Sequence, residues 1–323
     1  KQALRLIETF HTFAERHADK MAVALTPADA RRIVAAGRMA VFLGCEAGWD
    51  VEGDPDVLAA FYRLGLRVVQ FATQTGFNAF SDSAGAPLNG QPPDHFHGIN
   101  ARGHALVEKM NQLGILIDIT HATEEAQRQI IAASHAPVVA SHETVRAVSG
   151  AGLSDDLLKD LAGKGGLIGI HGAAAVVGKR YRTWMGEHPD LAAKSGASAI
   201  AMLSHHASAP RSPGDHGEFI TQFDAEAARL WDALGDWKEY PEAVPFIPTA
   251  DEWAEHVAYV IKLVGPDHVA IGLDMTAGRS GVPANAGGYP DLLAALKKIT
   301  TPENVRKITG ENWLRVLGDA KKA

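Results

Sequence analysis

The sequence predicts an α/β fold, a (β/α)8 TIM-type barrel. Its first one or two strands are expected upstream of Lys1. Two observations predict it. Short apolar runs bounded by turn residues alternate with helix-like segments, which is typical of buried parallel strands joined by crossover helices. Several of these runs end in a histidine or a carboxylate, and barrels of this class build their sites at the carboxyl edge of the sheet.

The clearest strand–helix–strand unit lies in the middle of the chain. The run Gly114–His121 is aliphatic and ends in histidine, and the run Ala136–His142 repeats this pattern. The helix-like segment Glu124–Ser134 lies between them. Because parallel strands present their carboxyl ends at one edge, we expect the side chains of His121 and His142 to lie close together.

The remaining elements continue the alternation of strand and helix. Helices are predicted at Gln2–His17, Thr26–Ala36 (Thr26 as N-cap, Pro27 as first helical residue), Pro55–Leu64, Ala101–Leu113, Ser154–Gly163, Asp291–Lys298 and Pro302–Leu317, and strands at Arg38–Glu46, Leu66–Gln74, Gly166–His171 and Asp267–Asp274. A mostly helical insert, residues 179–265, follows the strand that ends at His171. The whole chain, residues 1–323, is assigned to one catalytic barrel domain.

The strand count decides between two α/β architectures. A closed barrel uses eight strands and the pattern supplies six, so two further strands are expected upstream of Lys1. An open doubly wound sheet would instead carry a glycine-rich phosphate loop after its first strand. The glycines at 150 and 152 precede a helix but do not follow a strand, which argues against that alternative.

Composition excludes several classes of protein. The chain has 323 residues, 46% hydrophobic and 21% charged, with a net charge of −7, which is typical of a soluble globular protein, exported or cytoplasmic. Its Lys and Arg residues are dispersed, so no nucleic-acid surface is expected. No apolar run reaches the roughly 20 residues of a transmembrane helix. The single cysteine, Cys45, excludes an internal disulfide and a cysteine-rich zinc module.

Acidic and imidazole side chains gather at the predicted strand ends. Glu46, His121, His142 and Asp274 end four strands, and His171 ends a fifth. A single histidine at a strand end is more often a hydrogen-bonded structural residue, but four such groups at one edge favour a divalent metal site. Imidazole and carboxylate donors suit zinc. Asp274 could accept a proton from a metal-activated water or complete the coordination.

The same residues carry a family resemblance. The segments Leu43–Gly48, Gly114–His121, Ala136–His142, Ile271–Asp274 and Gly310–Leu317 resemble the signature segments of the membrane (renal) dipeptidase family, zinc dipeptidases of the amidohydrolase-like barrel class. The likeness covers nearly the whole chain. It implies a zinc-dependent hydrolase that cleaves the peptide bond of dipeptides, or a related small amide, through a metal-activated water.

The resemblance also implies roles for individual residues. Glu46 corresponds to the carboxylate that bridges two zinc ions, and His121 and His142 to ligands of the second zinc. Asp274 corresponds to the acid/base group that handles the proton of the attacking water. The first zinc needs a His-x-Asp pair at the end of the family's first strand, which is expected upstream of Lys1. Two Zn²⁺ are therefore expected per complete site, and residues 1–323 supply only Glu46 to the first of them.

The substrate contacts depart from the family pattern. Gln74 stands where the family has a histidine that helps to hold the substrate carbonyl, and it can hydrogen-bond but not titrate. The family arginine that binds the dipeptide carboxylate is missing, and Arg146 is the guanidinium nearest to its place. Arg146 or Arg279 could substitute, or the substrate could lack a carboxylate there. His171 is either a substrate contact or a structural histidine.

Two rival functions remain open. One is a metal-dependent hydrolase of another amide, a lactone or an N-acyl amino acid, and the other is a non-catalytic binding protein derived from the dipeptidase fold. Asp118 is out of step with His121 and is expected to support the fold or the metal ligands. A surface loop or lid is predicted to carry His205, His206 and His216. The insert aromatics Trp231, Trp237, Tyr240 and Trp253 are expected to pack it onto the barrel, and a homodimer contact is the alternative.

Overall fold

The computed structural model describes residues 2–46, 48, 51, 53–72, 78–190, 242–274, 281–283 and 286–322. Several residues named above lie outside these ranges: Gln74, Arg279, His205, His206, His216, Trp231, Trp237 and Tyr240. The predictions for them therefore stay predictions.

The described residues form eight strands in two parallel sheets. The smaller sheet pairs β1 (Met21–Val23) with β2 (Met39–Val41), and the larger contains, in spatial order, β3 (Leu43–Cys45), β4 (Leu66–Gln70), β5 (Leu116–Asp118), β6 (Val138–Glu143), β7 (Leu167–Ile170) and β8 (Val269–Ile271). Every neighbouring pair in the larger sheet is parallel. The six predicted parallel strands are thus confirmed, and their carboxyl ends lie at one edge. The strands expected upstream of Lys1 stay a prediction.

Helices alternate with these strands. In the described part of the chain the α-helices are Gln2–Arg16, Pro27–Ala35, Pro55–Arg63, Ala101–Leu113, Glu124–Ala133, Arg146–Ser149, Asp155–Gly163, Ala174–Val177, Lys179–Glu187, Ala250–Val264, Tyr289–Ile299, Pro302–Arg306 and Asn312–Ala320. Thr26 caps the second helix, as predicted, by accepting a hydrogen bond from the backbone N–H of Asp29. None of the described helices combines the length and the apolar character that crossing a bilayer requires.

The prediction of one strand over Arg38–Glu46 is wrong. The segment forms two strands, because β2 pairs with β1 whereas β3 pairs with β4, and the chain changes partner between Val41 and Leu43. The three-residue strand β1 was not predicted. A pattern of apolar residues shows that a segment is extended, but it does not show which strand lies beside it.

The last helix closes one end of the sheet. Val316 and Ala320 of Asn312–Ala320 pack against four buried strand residues: Leu116, Val139, Leu167 and Ala270. Each of these four is the first or second residue of its strand. The helix therefore covers the amino ends of the strands, on the side opposite the predicted site.

The insert ends in a helix that belongs to the main core. Trp253, in the helix Ala250–Val264, is fully buried, and its Nε1 donates a hydrogen bond to the carbonyl of His171 at 3.1 Å. This contact attaches the end of the insert to the end of β7, as predicted for this tryptophan. The assignment of residues 1–323 to one domain stays a prediction.

Candidate active site

Five predicted site residues lie at the carboxyl edge of the larger sheet. Glu46 directly follows β3, His142 lies near the end of β6, and His171 directly follows β7. His121 and Asp274 each lie three residues beyond their strands, β5 and β8. Parallel pairing thus brings to one edge side chains that are far apart along the chain.

Three of these side chains converge closely enough to share a cation. Nε2 of His142 lies 3.2 Å from Nε2 of His121, which lies 3.5 Å from Oε1 of Glu46. One donor atom from each residue lies within 4.8 Å of the other two. Two ligands of a tetrahedral zinc, each ~2.0–2.1 Å from the ion, are separated by about 3.3 Å. Both the donor types and the spacing between the two imidazoles fit zinc.

The backbone is strained at two of the site residues. His121 has φ 66° and Asp274 has φ 48°, both in the left-handed region that residues other than glycine rarely occupy. His97, at φ 54°, is the only other such residue in the described ranges. Left-handed conformations of this kind concentrate at functional sites, where the surrounding structure holds them. Here each one turns a side chain at the point where the chain leaves a strand.

Two glycines allow close packing of backbone beneath His142. A Cβ atom on Gly169 of β7, or on Gly272 just after β8, would collide with the carbonyl oxygen of Ser141. Only glycine can occupy both places while β6, β7 and β8 keep this spacing. The glycines in the runs that lead to His171 and Asp274 therefore have a steric role next to the site.

Charges around the histidines favour a cation. Burial lowers the pKa of His121, but the hydrogen bond and charge of Glu46, together with the charges of Glu143 and Asp118, raise the pKa above its ordinary value. Glu143, half-buried at the end of β6, adds a further negative charge near His121 and His142. Its loss of hydration raises the pKa of Glu143, against the hydrogen bond donated by Thr144 N–H. A positive ion between these groups would relieve the crowding of carboxylates.

His171 and Asp274 form a second pair beside the three candidate ligands. Nε2 of His171 lies 3.6 Å from Oδ2 of Asp274, and Nδ1 of His171 accepts a hydrogen bond from Ala173 N–H at 2.9 Å. An accepting Nδ1 leaves the ring hydrogen of neutral His171 on Nε2, which faces Asp274. Burial and the neighbouring His142 lower the pKa of His171 to about 4. His171 therefore presents a neutral N–H to the carboxylate.

Arg146 lies apart from this convergence. Its guanidinium makes an ion pair with Glu124 at 2.8 Å, and its Nε donates to the carbonyl of Gly152 at 3.0 Å. The hydrogen bond from Arg146, with that from Arg128, holds the pKa of Glu124 below its ordinary value. The proposed contact between Arg146 and substrate stays a prediction.

Two residues near the site were not singled out from the sequence. Ser141 contacts the ring of His142 through its hydroxyl, and Glu143 follows that histidine in β6. A signal was present, because three consecutive polar residues end a strand that begins with buried valines and an alanine. Only the imidazole of this triplet matched the pattern of a metal ligand at a strand end.

The whole chain matches one family model. Residues 1–323 match the model described as membrane dipeptidase, peptidase family M19. The chain belongs to the membrane dipeptidase family. The resemblance seen in the signature segments is thereby confirmed.

Relatives of this dipeptidase-family chain include fungal proteins. It is 25% identical over 334 residues to dipeptidase verJ of Clonostachys rogersoniana, covering 100% of this chain and 66% of that protein. It is 27% identical over 291 residues to dipeptidase aclJ of Aspergillus oryzae, covering 88% of this chain and 52% of that protein. The chain thus spans less than two thirds of the length of these curated relatives.

Solved structures show the same fold. The probable dipeptidase PvdM from Pseudomonas aeruginosa superposes with a TM-score of 0.73 at 24% identity, covering 97% of this chain and 77% of that one. A metallo peptidase from Rhodobacter sphaeroides, liganded with a phosphinate mimic of the dipeptide L-Ala-D-Ala, gives a TM-score of 0.66 at 22% identity, with 96% and 72% covered. Together with the parallel sheet, these likenesses confirm the predicted TIM-type barrel class.

Proposed function

We propose that this chain forms the catalytic site of a zinc-dependent hydrolase that cleaves the peptide bond of dipeptides. The observation that carries the proposal is the convergence of Glu46, His121 and His142 at one edge of a parallel sheet, with two imidazole nitrogens 3.2 Å apart. These three residues would hold one zinc ion. The family resemblance, which gives Glu46 a bridging role, would add a second zinc to the complete site.

The metal and the protein supply different parts of the chemistry. A zinc ion bound at such a site would make a water nucleophilic near neutral pH and would polarise the carbonyl group that this water attacks. Asp274 would accept the proton of that water at Oδ2 and deliver it to the departing amine. The N–H of His171 points at the same oxygen and would hold it in place between these two transfers.

Dipeptides are the substrate class that the family favours. The fungal relatives are named dipeptidases, and the Rhodobacter protein is liganded with a mimic of L-Ala-D-Ala. The Glu46 side chain is 51% exposed and that of Asp274 19%, so a small substrate could reach both from solvent. We propose dipeptides, including those with a D-residue at the carboxyl side, as substrates. Arg146, Gln74 and His171 are the candidate substrate contacts.

One experiment separates this function from its rivals. Purified protein is analysed for zinc and then assayed against L,L- and L,D-dipeptides, N-acyl amino acids and lactones. Bound zinc with dipeptide hydrolysis supports the proposal. Hydrolysis of lactones or acyl amino acids alone would indicate the other hydrolase class. Absence of zinc, with no hydrolysis after zinc is added, would indicate a binding protein.

A further inference from the structure

A buried carboxylate lies beneath the candidate ligand His142. Asp118, the last residue of β5, is only 3% exposed. Its Oδ1 accepts hydrogen bonds from Thr120 N–H at 3.0 Å, from the Thr120 hydroxyl at 2.7 Å and from Ser141 N–H at 2.9 Å. Its Oδ2 accepts the hydroxyl hydrogen of Ser141. Four donors converge on these two oxygens, which makes Asp118 an acceptor only.

The hydrogen bond from Ser141 to Asp118 determines how Ser141 contacts His142. A hydroxyl has one hydrogen, and that of Ser141 is directed at Asp118. Toward Nδ1 of His142, 2.7 Å away, Ser141 Oγ can therefore only accept. The ring hydrogen of neutral His142 must then lie on Nδ1. Its lone pair is left on Nε2, the atom that lies 3.2 Å from Nε2 of His121.

We infer that Ser141 and Asp118 are positioning residues that set the tautomer and the ring orientation of His142 for metal binding. The inference rests on the proposed zinc site. A neutral histidine can bind a metal only through the nitrogen without hydrogen. The hydrogen-bonded series Asp118–Ser141–His142, called the relay below, makes that nitrogen Nε2. Hydrogen-bond partners behind a ligating histidine typically change metal affinity by ~10–100-fold.

These hydrogen bonds predict different His142 tautomers for two substitutions. Ser141→Ala removes the acceptor, so Nδ1 of His142 loses its partner and both neutral tautomers become populated. Asp118→Asn keeps the shape but puts an NH₂ where Oδ2 accepts. Ser141 then accepts from that NH₂ and donates its own hydrogen to Nδ1. His142 is thereby driven to the tautomer whose hydrogen lies on Nε2.

The tautomer is measured directly in the metal-free protein. Histidine is labelled with ¹⁵N, and the His142 signals are assigned by their loss in His142→Gln. The wild type is expected to show a hydrogen-bearing Nδ1 and a hydrogen-free Nε2. In Ser141→Ala the two ¹⁵N shifts move toward each other. In Asp118→Asn, Nδ1 takes the shift of a hydrogen-free nitrogen and Nε2 that of a hydrogen-bearing one. A residue that only supported the fold would lower stability without reversing the tautomer.

Zinc affinity provides the second measurement, by competition with a chromophoric chelator. Ser141→Ala and Asp118→Asn are each expected to weaken zinc binding by about 10–100-fold. Ser134→Ala is the matched control. Ser134 is fully buried, and its hydroxyl hydrogen-bonds Asn111 and the carbonyl of Ala136, before β6 begins. This variant should lose stability but keep both the zinc affinity and the His142 tautomer.

The outcomes separate this inference from the proposed function. If wild-type protein binds zinc, and Ser141→Ala and Asp118→Asn bind it equally well with an unchanged His142 tautomer, the relay is wrong and the zinc site stands. If the wild type binds no zinc, the proposed function fails. The ¹⁵N shifts then decide the relay alone: a reversed tautomer in Asp118→Asn supports it, and an unchanged tautomer overturns it.

Discussion

Nε2 of His142 lies 3.2 Å from Nε2 of His121, although 21 positions separate the two residues in the chain. The contact arises because β5 and β6 are parallel neighbours joined by the helix Glu124–Ala133. Two imidazole nitrogens at this distance cannot both carry a hydrogen directed at the other, so one of them must present a lone pair. A shared cation or proton explains the arrangement, and Glu46 beside them favours a positive charge.

Asp274→Asn should abolish turnover without removing metal. The amide cannot accept the proton of the attacking water, so kcat is expected to fall by about 10²–10⁴-fold, the usual contribution of a general acid/base. Zinc content and kcat are measured on the same preparation. Asp319→Asn, in the helix that closes the opposite end of the sheet, should change neither. Loss of zinc from Asp274→Asn would instead identify Asp274 as a ligand.

Zinc should stabilise the folded protein. A ligand that binds only the folded state at a concentration 100 times its Kd adds about 2.7 kcal/mol to the free energy of unfolding. Tm is measured by thermal unfolding with and without added zinc. The increase should vanish in the double variant His121→Ala/His142→Ala and persist in His135→Ala, whose side chain is 73% exposed. An increase that survives in the double variant would place the stabilising zinc elsewhere.

His256 should make the fold sensitive to acid. It is 1% exposed, its Nδ1 lies 3.2 Å from the Thr144 hydroxyl, and burial lowers its pKa from 6.5 to about 4. Between those pH values the unfolded chain binds a proton that the folded chain does not, so stability falls as pH decreases. Below pH 4 this loss is complete, at roughly 3 kcal/mol for this group.

Chemical denaturation across pH 4–7 measures this dependence on His256. His256→Gln keeps an acceptor but cannot titrate, so its unfolding free energy should depend less steeply on pH than that of the wild type. His135→Gln, at an exposed position, serves as the control and should retain the wild-type slope. If the unfolding free energy of His256→Gln depends on pH as steeply as that of the wild type, His256 is not the source of the acid sensitivity.

Arg146→Ala tests the substrate contact. If Arg146 binds the carboxylate of a dipeptide, KM should rise by about 10–100-fold, as expected for the loss of one charge-assisted hydrogen bond. KM for the corresponding dipeptide amide should not change. Arg128→Ala is a close control, because Arg128 also pairs with Glu124 at 2.8 Å. Equal effects of both variants would show that Arg146 acts only through Glu124.

Much of the fold could be predicted from the sequence because its signals are local. The helix predicted at Ala101–Leu113 has these bounds in the structure, where Asn100 caps its start and Gly114 ends it in the left-handed conformation. The parallel order of β3 to β8 followed from alternating apolar runs and helices. Glu46, His121 and His142 could be grouped because parallel strands end at a common edge.

Contacts between distant segments required the tertiary structure. The sequence did not show that the Arg38–Glu46 segment changes pairing partner, because strand pairing depends on segments that lie far apart in the chain. It indicated Asp118 as a supporting residue but not the hydrogen bonds that connect it through Ser141 to His142. The sequence by itself determined which residues reach the edge of the sheet. The orientation of their side chains was decided by packing and hydrogen bonding in three dimensions, and metal binding depends on that orientation.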